Sequence, residues 1–170
     1  MNRRHCLGGL IGLAGGVRAA PVVAQAVRKP WPRKDATPAL ELAAVDGGAW
    51  RLVDERGHPL LLNFWASWCE PCRAEMPSLE QLAIAHRDVG LRVVAINYRE
   101  GEPAVRRFLG NTQLALPVVR DPEGAAARAF GIHIFPSTVA IDRQGRTHFI
   151  VVGELDWNSA AGLELVRSLL

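Results

Sequence analysis

Five residues, Trp68-Cys69-Glu70-Pro71-Cys72, constrain this chain more than any others. They follow the apolar run Leu60-Leu61-Leu62-Asn63-Phe64-Trp65 and open a segment of helical periodicity, so both cysteines sit at a strand-to-helix turn. A C-x-x-C spacing lets the two sulfurs reach one disulfide and reads as a redox pair. Helix geometry makes the two unequal. Cys69 falls at or just before the first turn, where orphan N–H groups and the helix dipole favour a thiolate, whereas Cys72 lies one turn inward. Cys69 is expected to attack and Cys72 to resolve.

Two plainer roles compete for the pair. A structural zinc site needs about four ligands, usually from a second C-x-x-C or a His pair at short spacing; beyond Cys6 the chain has no further cysteine. A purely structural disulfide across four residues closes a tiny loop and removes little unfolded-state entropy. Redox chemistry is the stronger reading.

Three segments in register then carry a resemblance. Asn63-Phe64-Trp65-Ala66-Ser67-Trp68-Cys69-Glu70-Pro71-Cys72-Arg73-Ala74-Glu75-Met76-Pro77 is similar to the active-site segment of the TlpA/ResA/CcmG(DsbE)-like family of bacterial thioredoxin relatives. Ala95 to Glu100 and Phe135-Pro136-Ser137-Thr138-Val139-Ala140-Ile141-Asp142 resemble the same family in the expected order, and the likeness runs from about Pro38 to Leu170. The resemblance implies an α/β thioredoxin-like fold, with a central mixed sheet flanked by helices, an N-terminal hairpin and a central strand-helix insertion. It also implies a cis bond before Pro136, placing that proline against the redox sulfurs beside an extended substrate strand. Trp68, Glu70, Pro71 and Phe135 would line that substrate groove. Phe135 departs from the smaller or β-branched residues common in relatives, which would make the groove more apolar and narrower.

Asn63 stands where cytosolic thioredoxins carry an aspartate that serves proton transfer, and an amide cannot be a base. Glu75, three residues after Cys72, shares a helix face with it, and a partly buried carboxyl there can take its proton. The ResA-like relatives imply the same task. Glu70 differs in kind: its charge beside Cys69 opposes thiolate formation, which destabilises the reduced form and makes the pair more reducing.

The N-terminus reads as an export signal outside the fold. Met1-Asn2-Arg3-Arg4 is a basic start, Leu7 to Val17 an apolar, glycine-rich run, and Ala24-Gln25-Ala26 a small-x-small site with cleavage expected after Ala26. The paired Arg3-Arg4 and the weak apolar core suit a twin-arginine signal or an ordinary secretory one. The run is far short of the ~20 residues that span a bilayer. Of the 20 basic residues, Arg3, Arg4 and Arg18 lie in this leader, which leaves 17 against 17 acidic ones; the net charge of +3 belongs to the leader. No basic stripe with interleaved aromatics suggests nucleic acid. A periplasmic location follows, and there disulfide chemistry is permitted.

Residues Val27 to Thr37, with Pro30, Trp31 and Pro32, read as a flexible tether, and 38–170 as the redox domain. It should open with a hairpin around Asp46-Gly47-Gly48 and a short turn at Asp54 to Gly57, then the buried strand Leu60–Trp65. A helix interrupted by Pro77 carries Met76, Leu79 and Ala83 on one face and places His86 near its end. Strands at 91–97 and 116–120, helices at 102–109 and 124–130, a closing hairpin through Arg143-Gln144-Gly145 and a last helix capped by Asn158 complete the alternation.

The expected activity is that of an exported thiol-disulfide oxidoreductase, acting as a reductant through a Cys69–Cys72 dithiol/disulfide cycle that requires no bound cofactor. By resemblance its substrates are disulfide-bearing proteins, such as the haem-site cysteines of apocytochrome c or copper-assembly cysteines. A membrane thiol reductase of the DsbD or CcdA kind would supply electrons. Two alternatives remain open at this stage: a DsbA-like oxidase, against which Glu70-Pro71 argues for want of a His, and a Cu(I) chaperone using Cys69, Cys72 and His133. A peroxiredoxin-type site would want proline and threonine where Leu62 and Ala66 stand.

Overall fold

The computed structural model describes residues 26–170; Cys6, the arginine pair and the rest of the expected leader up to Gln25 lie outside them. The strands are β1 (Val27–Pro30), β2 (Glu41–Ala44), β3 (Ala49–Arg51), β4 (Leu60–Trp65), β5 (Arg92–Tyr98), β6 (Val118–Asp121), β7 (Ser137–Ile141) and β8 (Thr147–Val152). The helices are α1 (Glu70–Ala85), α2 (Glu102–Thr112), α3 (Ala125–Ala129) and α4 (Ala160–Arg167), with a 3-10 turn at Leu52–Glu55. All eight strands join one sheet in the order β1-β8-β7-β4-β5-β6-β2-β3.

Strand β4 is central because its six residues are all buried, as a strand covered on both faces must be. It runs parallel to β5 and antiparallel to β7. Strand alternation divides its side chains between two cores. Leu60, Leu62 and Phe64 pack with Val94, Ile96, Val139 and Phe130 on one face. On the other, Leu61 meets Leu79 and Leu82 of α1 and Val166 of α4, and Trp65 meets Met76 and Val105. Each fully buried leucine or phenylalanine there is worth about 1.5–3 kcal/mol over exposure. The parity places Asn63, between Leu61 and Trp65, on the α1 face.

The hairpin β2–β3 extends the sheet by pairing β2 with β6, and β6 with α3 forms the central insertion. The fold is thioredoxin-like. Helix α1 continues through Pro77 to Ala85 and ends at His86, whose Nδ1 lies 3.1 Å from the Leu82 carbonyl.

Three local expectations change. Val27–Pro30, read as tether, is an edge strand paired antiparallel with β8 from Val27 opposite Val152 to Pro30 opposite Phe149. Its four side chains are exposed, so the pairing is a backbone matter and leaves no apolar period to read. Trp31 continues it, donating its backbone N–H to the His148 carbonyl at 2.9 Å and packing its ring on Phe130 at 5.6 Å between centroids. The last helix is capped by Ser159, whose Oγ accepts from Gly162 N–H at 3.2 Å, while the Asn158 amide donates instead to Gln81 at 2.7 Å. The 3-10 turn begins at Leu52, two residues before Asp54, because Leu52 is drawn into the core.

Candidate active site

Cys69 and Cys72 are joined by a disulfide, with their Cα atoms 5.3 Å apart. Cys69 is the N-cap of α1 in extended conformation, and its Sγ accepts the Cys72 N–H at 3.3 Å. Pro71 falls in the first turn, where its missing donor costs nothing. Cys69 is 6% exposed and Cys72 fully buried, so an incoming group meets Cys69 first. Glu70 and Pro71 stand exposed on the same turn.

The turn before Cys69 is fastened from the side. Glu100 accepts from Ser67 N–H at 2.6 Å, from Ser67 Oγ at 2.5 Å and from the Asn97 amide at 2.7 Å. It thereby ties the Trp65–Cys69 connection to the end of β5.

Beneath the disulfide, Glu75 lies on the same buried face of α1 as Cys72 and is only 3% exposed. Asn63 Nδ2 donates to Glu75 Oε1 at 2.5 Å and approaches Thr138 Oγ1 at 3.0 Å; the Leu155 N–H donates to Glu75 Oε2 at 3.1 Å. Burial pushes the Glu75 carboxyl up to about 8, and the Glu154 charge adds to the rise. The Leu155 N–H, the Asn63 amide and the Trp157 indole oppose it. Burial outweighs these donors because an ionised carboxylate away from water loses more solvation than a few hydrogen bonds return.

The Phe135–Pro136 bond is cis, and Pro136 is buried with its carbonyl accepting Gly153 N–H at 2.9 Å. Phe135 packs against the cluster that holds both cysteines. Its ring is 4.6 Å from Tyr98 and 6.3 Å, edge-on, from Trp68, which is 66% exposed. A strip of three aromatic rings therefore borders Cys69.

A family model described as Redoxin matches residues 32–163, most of the chain. This chain belongs to the redoxin family. It is 33% identical over 118 residues to the thiol-disulfide oxidoreductase ResA of Geobacillus thermodenitrificans (strain NG80-2), covering 69% of this chain and 68% of that protein. It is 36% identical over 121 residues to the thioredoxin-like protein YneN of Bacillus subtilis (strain 168), covering 69% and 70%. A Chlorobium tepidum structure, assigned as the thiol:disulfide interchange protein DsbE, superposes with a TM-score of 0.72 at 31% identity over 79% of this chain and 94% of that one. With the Cys69–Cys72 disulfide, these relationships make this redoxin a thiol-disulfide oxidoreductase of the ResA/DsbE type.

His133 is not gathered to the cysteines. It is exposed and lines a separate hollow with Lys29, Ile134 and Val152, and among the described residues no group of three or more His, Cys, Asp or Glu side chains is placed to hold a metal. No helix among the described residues is long and apolar enough to cross a membrane.

Sequence reasoning dismissed Asn63 as a base and missed it as the partner of Glu75, although a lone polar residue in an apolar strand was a signal. It also missed Glu100 and Tyr98, whose roles arise only when β5 is laid beside the redox turn.

Proposed function

We propose that this redoxin is an exported reductant of protein disulfides. The buried Glu75 on the face it shares with Cys72, next to the slightly more accessible Cys69, carries that reading. In the reduced enzyme the Cys69 thiolate attacks one sulfur of a substrate disulfide, breaking that S–S bond and forming a mixed disulfide. Cys72 then gives its proton to Glu75 and attacks Cys69, which closes the enzyme disulfide and expels the second substrate sulfur. Two electrons pass to the substrate, whose two thiolates take protons from solvent.

The cis-Pro136 segment and the strip of Trp68, Phe135 and Tyr98 would receive the polypeptide around the substrate disulfide, with Glu70 and Pro71 at its margin. Apolar residues flanking that disulfide would bury area against the rings. The proposed substrates are the haem-site cysteines of apocytochrome c or cysteines of copper-site assembly, and the proposed electron donor is a membrane thiol reductase of the DsbD or CcdA kind. The basic start, apolar run and Ala24-Gln25-Ala26 site support release into the periplasm as a cleaved protein.

The deciding experiment is the reduction potential of the Cys69–Cys72 couple, by equilibration in thiol buffers followed by tryptophan fluorescence. A value near or below about −270 mV, that of thioredoxin, is expected; one near about −120 mV would make the protein an oxidase of exported thiols.

A further inference from the structure

Glu75 has two sides. One is held by Asn63, on the buried face of α1 that also carries Cys72; the other forms part of the floor of a polar cleft of about 310 Å³ between α1 and the loop that joins β8 to α4. Ala74, Ser78 and Gln81 form one wall of this cleft, and Glu154, Leu155 and Asp156 the other. It includes neither cysteine and none of the rings beside Cys69. Glu154 and Asp156 are exposed at its mouth. The Leu155 N–H that holds Glu75 Oε2 comes from the same loop.

We propose that this cleft is the route by which the proton on Glu75 reaches bulk water, with Glu154 as the positioning residue that relays it at the mouth. The proposal rests on Glu75 being the base for Cys72. When a substrate is bound as a mixed disulfide it covers the Cys69 surface, so a base there needs a second path to solvent. In the step itself the Cys72 S–H bond breaks and a Glu75 O–H bond forms. The proton then passes to water in the cleft and on to the Glu154 carboxylate; as Cys72 bonds to Cys69 the Cys69–substrate bond breaks, and the negative charge leaves on the departing substrate sulfur.

The groups facing Glu75 are few. From β4 comes the Asn63 amide; from the β8–α4 loop, the Leu155 N–H, the Trp157 indole and the Glu154 carboxylate; Cys72 is buried on the same helix. Glu154 is the one charged side chain among the described residues that acts on it. Removing that like charge eases ionisation of Glu75, and removing the relay slows proton exit, so one substitution moves two observables in opposite senses.

The test is single-turnover release of a mixed disulfide between Cys69 and a model peptide, followed against pH in the full mature protein and in Glu154→Gln, Glu154→Lys and Glu75→Gln. In Glu154→Gln the midpoint of the rate profile should fall by about half a pH unit, further in Glu154→Lys, as expected for an exposed charge acting at short range. The high-pH plateau should drop several-fold in both and return on adding imidazole, a small proton carrier. An unchanged profile overturns the proposal, and so does a shifted midpoint with a full plateau, since the proton then leaves by another path. If Glu75→Gln itself releases peptide at the wild-type rate, the base assignment fails; if it is slow while Glu154→Gln is normal, only the cleft route fails.

Discussion

Asn63 donates its side-chain N–H to Glu75 Oε1 at 2.5 Å, joining the central strand to the helix that carries both cysteines. The contact is 12 residues long in sequence and wholly buried. It orients the carboxyl and favours its ionised form, a partial counterweight to burial. The Asn63→Leu substitution should destabilise the fold by about 1–3 kcal/mol, because the buried Glu75 Oε1 loses its donor. It should also shift ionisation of Glu75 to higher pH. Urea denaturation and the pH profile of disulfide exchange report the two effects separately.

Glu75 also makes stability pH-dependent with a definite sign. Its carboxyl is raised from 4.5 to about 8 in the disulfide form. Between those values the folded protein holds a proton that the unfolded chain has released, so the contribution of Glu75 is full below pH 4.5 and is lost as pH rises through about 8. Across that window wild type should lose about 1.4 kcal/mol per pH unit relative to Glu75→Gln. Parallel urea titrations of the two oxidised proteins check it, and parallel lines would refute it.

The unequal exposure of the cysteines predicts an unequal outcome of their replacement. Cys72→Ser should accumulate a stable mixed disulfide through Cys69, since nothing remains to resolve it. Cys69→Ser should form almost none, its remaining thiol being fully buried. Mass spectrometry of each variant after incubation with a disulfide-bearing peptide distinguishes the two.

Glu100 touches neither sulfur, yet three hydrogen bonds make it the anchor of the Ser67 turn. Glu100→Ala leaves the Asn97 amide, already without a partner for its Oδ1, more poorly satisfied. We expect a loss of about 1–3 kcal/mol in stability and a roughly tenfold fall in the rate at which Cys69 reacts with peptide disulfides, by loosening the turn that positions its sulfur. A wild-type rate in a destabilised variant would assign Glu100 to folding alone.

Gly162 in α4 tests which of two effects wins. Helix propensity favours alanine over glycine by about 1 kcal/mol. A Cβ at this position, however, would lie 2.7 Å from the backbone Cα and carbonyl oxygen of Trp157, and backbone cannot move aside as a side-chain end can. Gly162→Ala should therefore lower the melting temperature rather than raise it, by displacing α4 from the Trp157 loop.

Features set by chemistry at short range were legible in the chain alone. The C-x-x-C pair after an apolar run gave the redox turn and the order of its cysteines, because capping and the helix dipole depend on neighbouring residues alone. The unbroken apolar stretch Leu60–Trp65 identified the central strand, and the i to i+3 spacing put Glu75 on the Cys72 face. Contacts with no local trace emerged only once the elements were packed. Leu155 reaches Glu75 across 80 residues of sequence, and Ser67 reaches Glu100 across 33. Strand β1 joins the sheet through backbone groups that every residue except proline carries in full, so its side chains hold no period to betray it. Hydrophobic pattern records which face of an element is buried, but which polar groups meet across that buried face is fixed only when the elements pack.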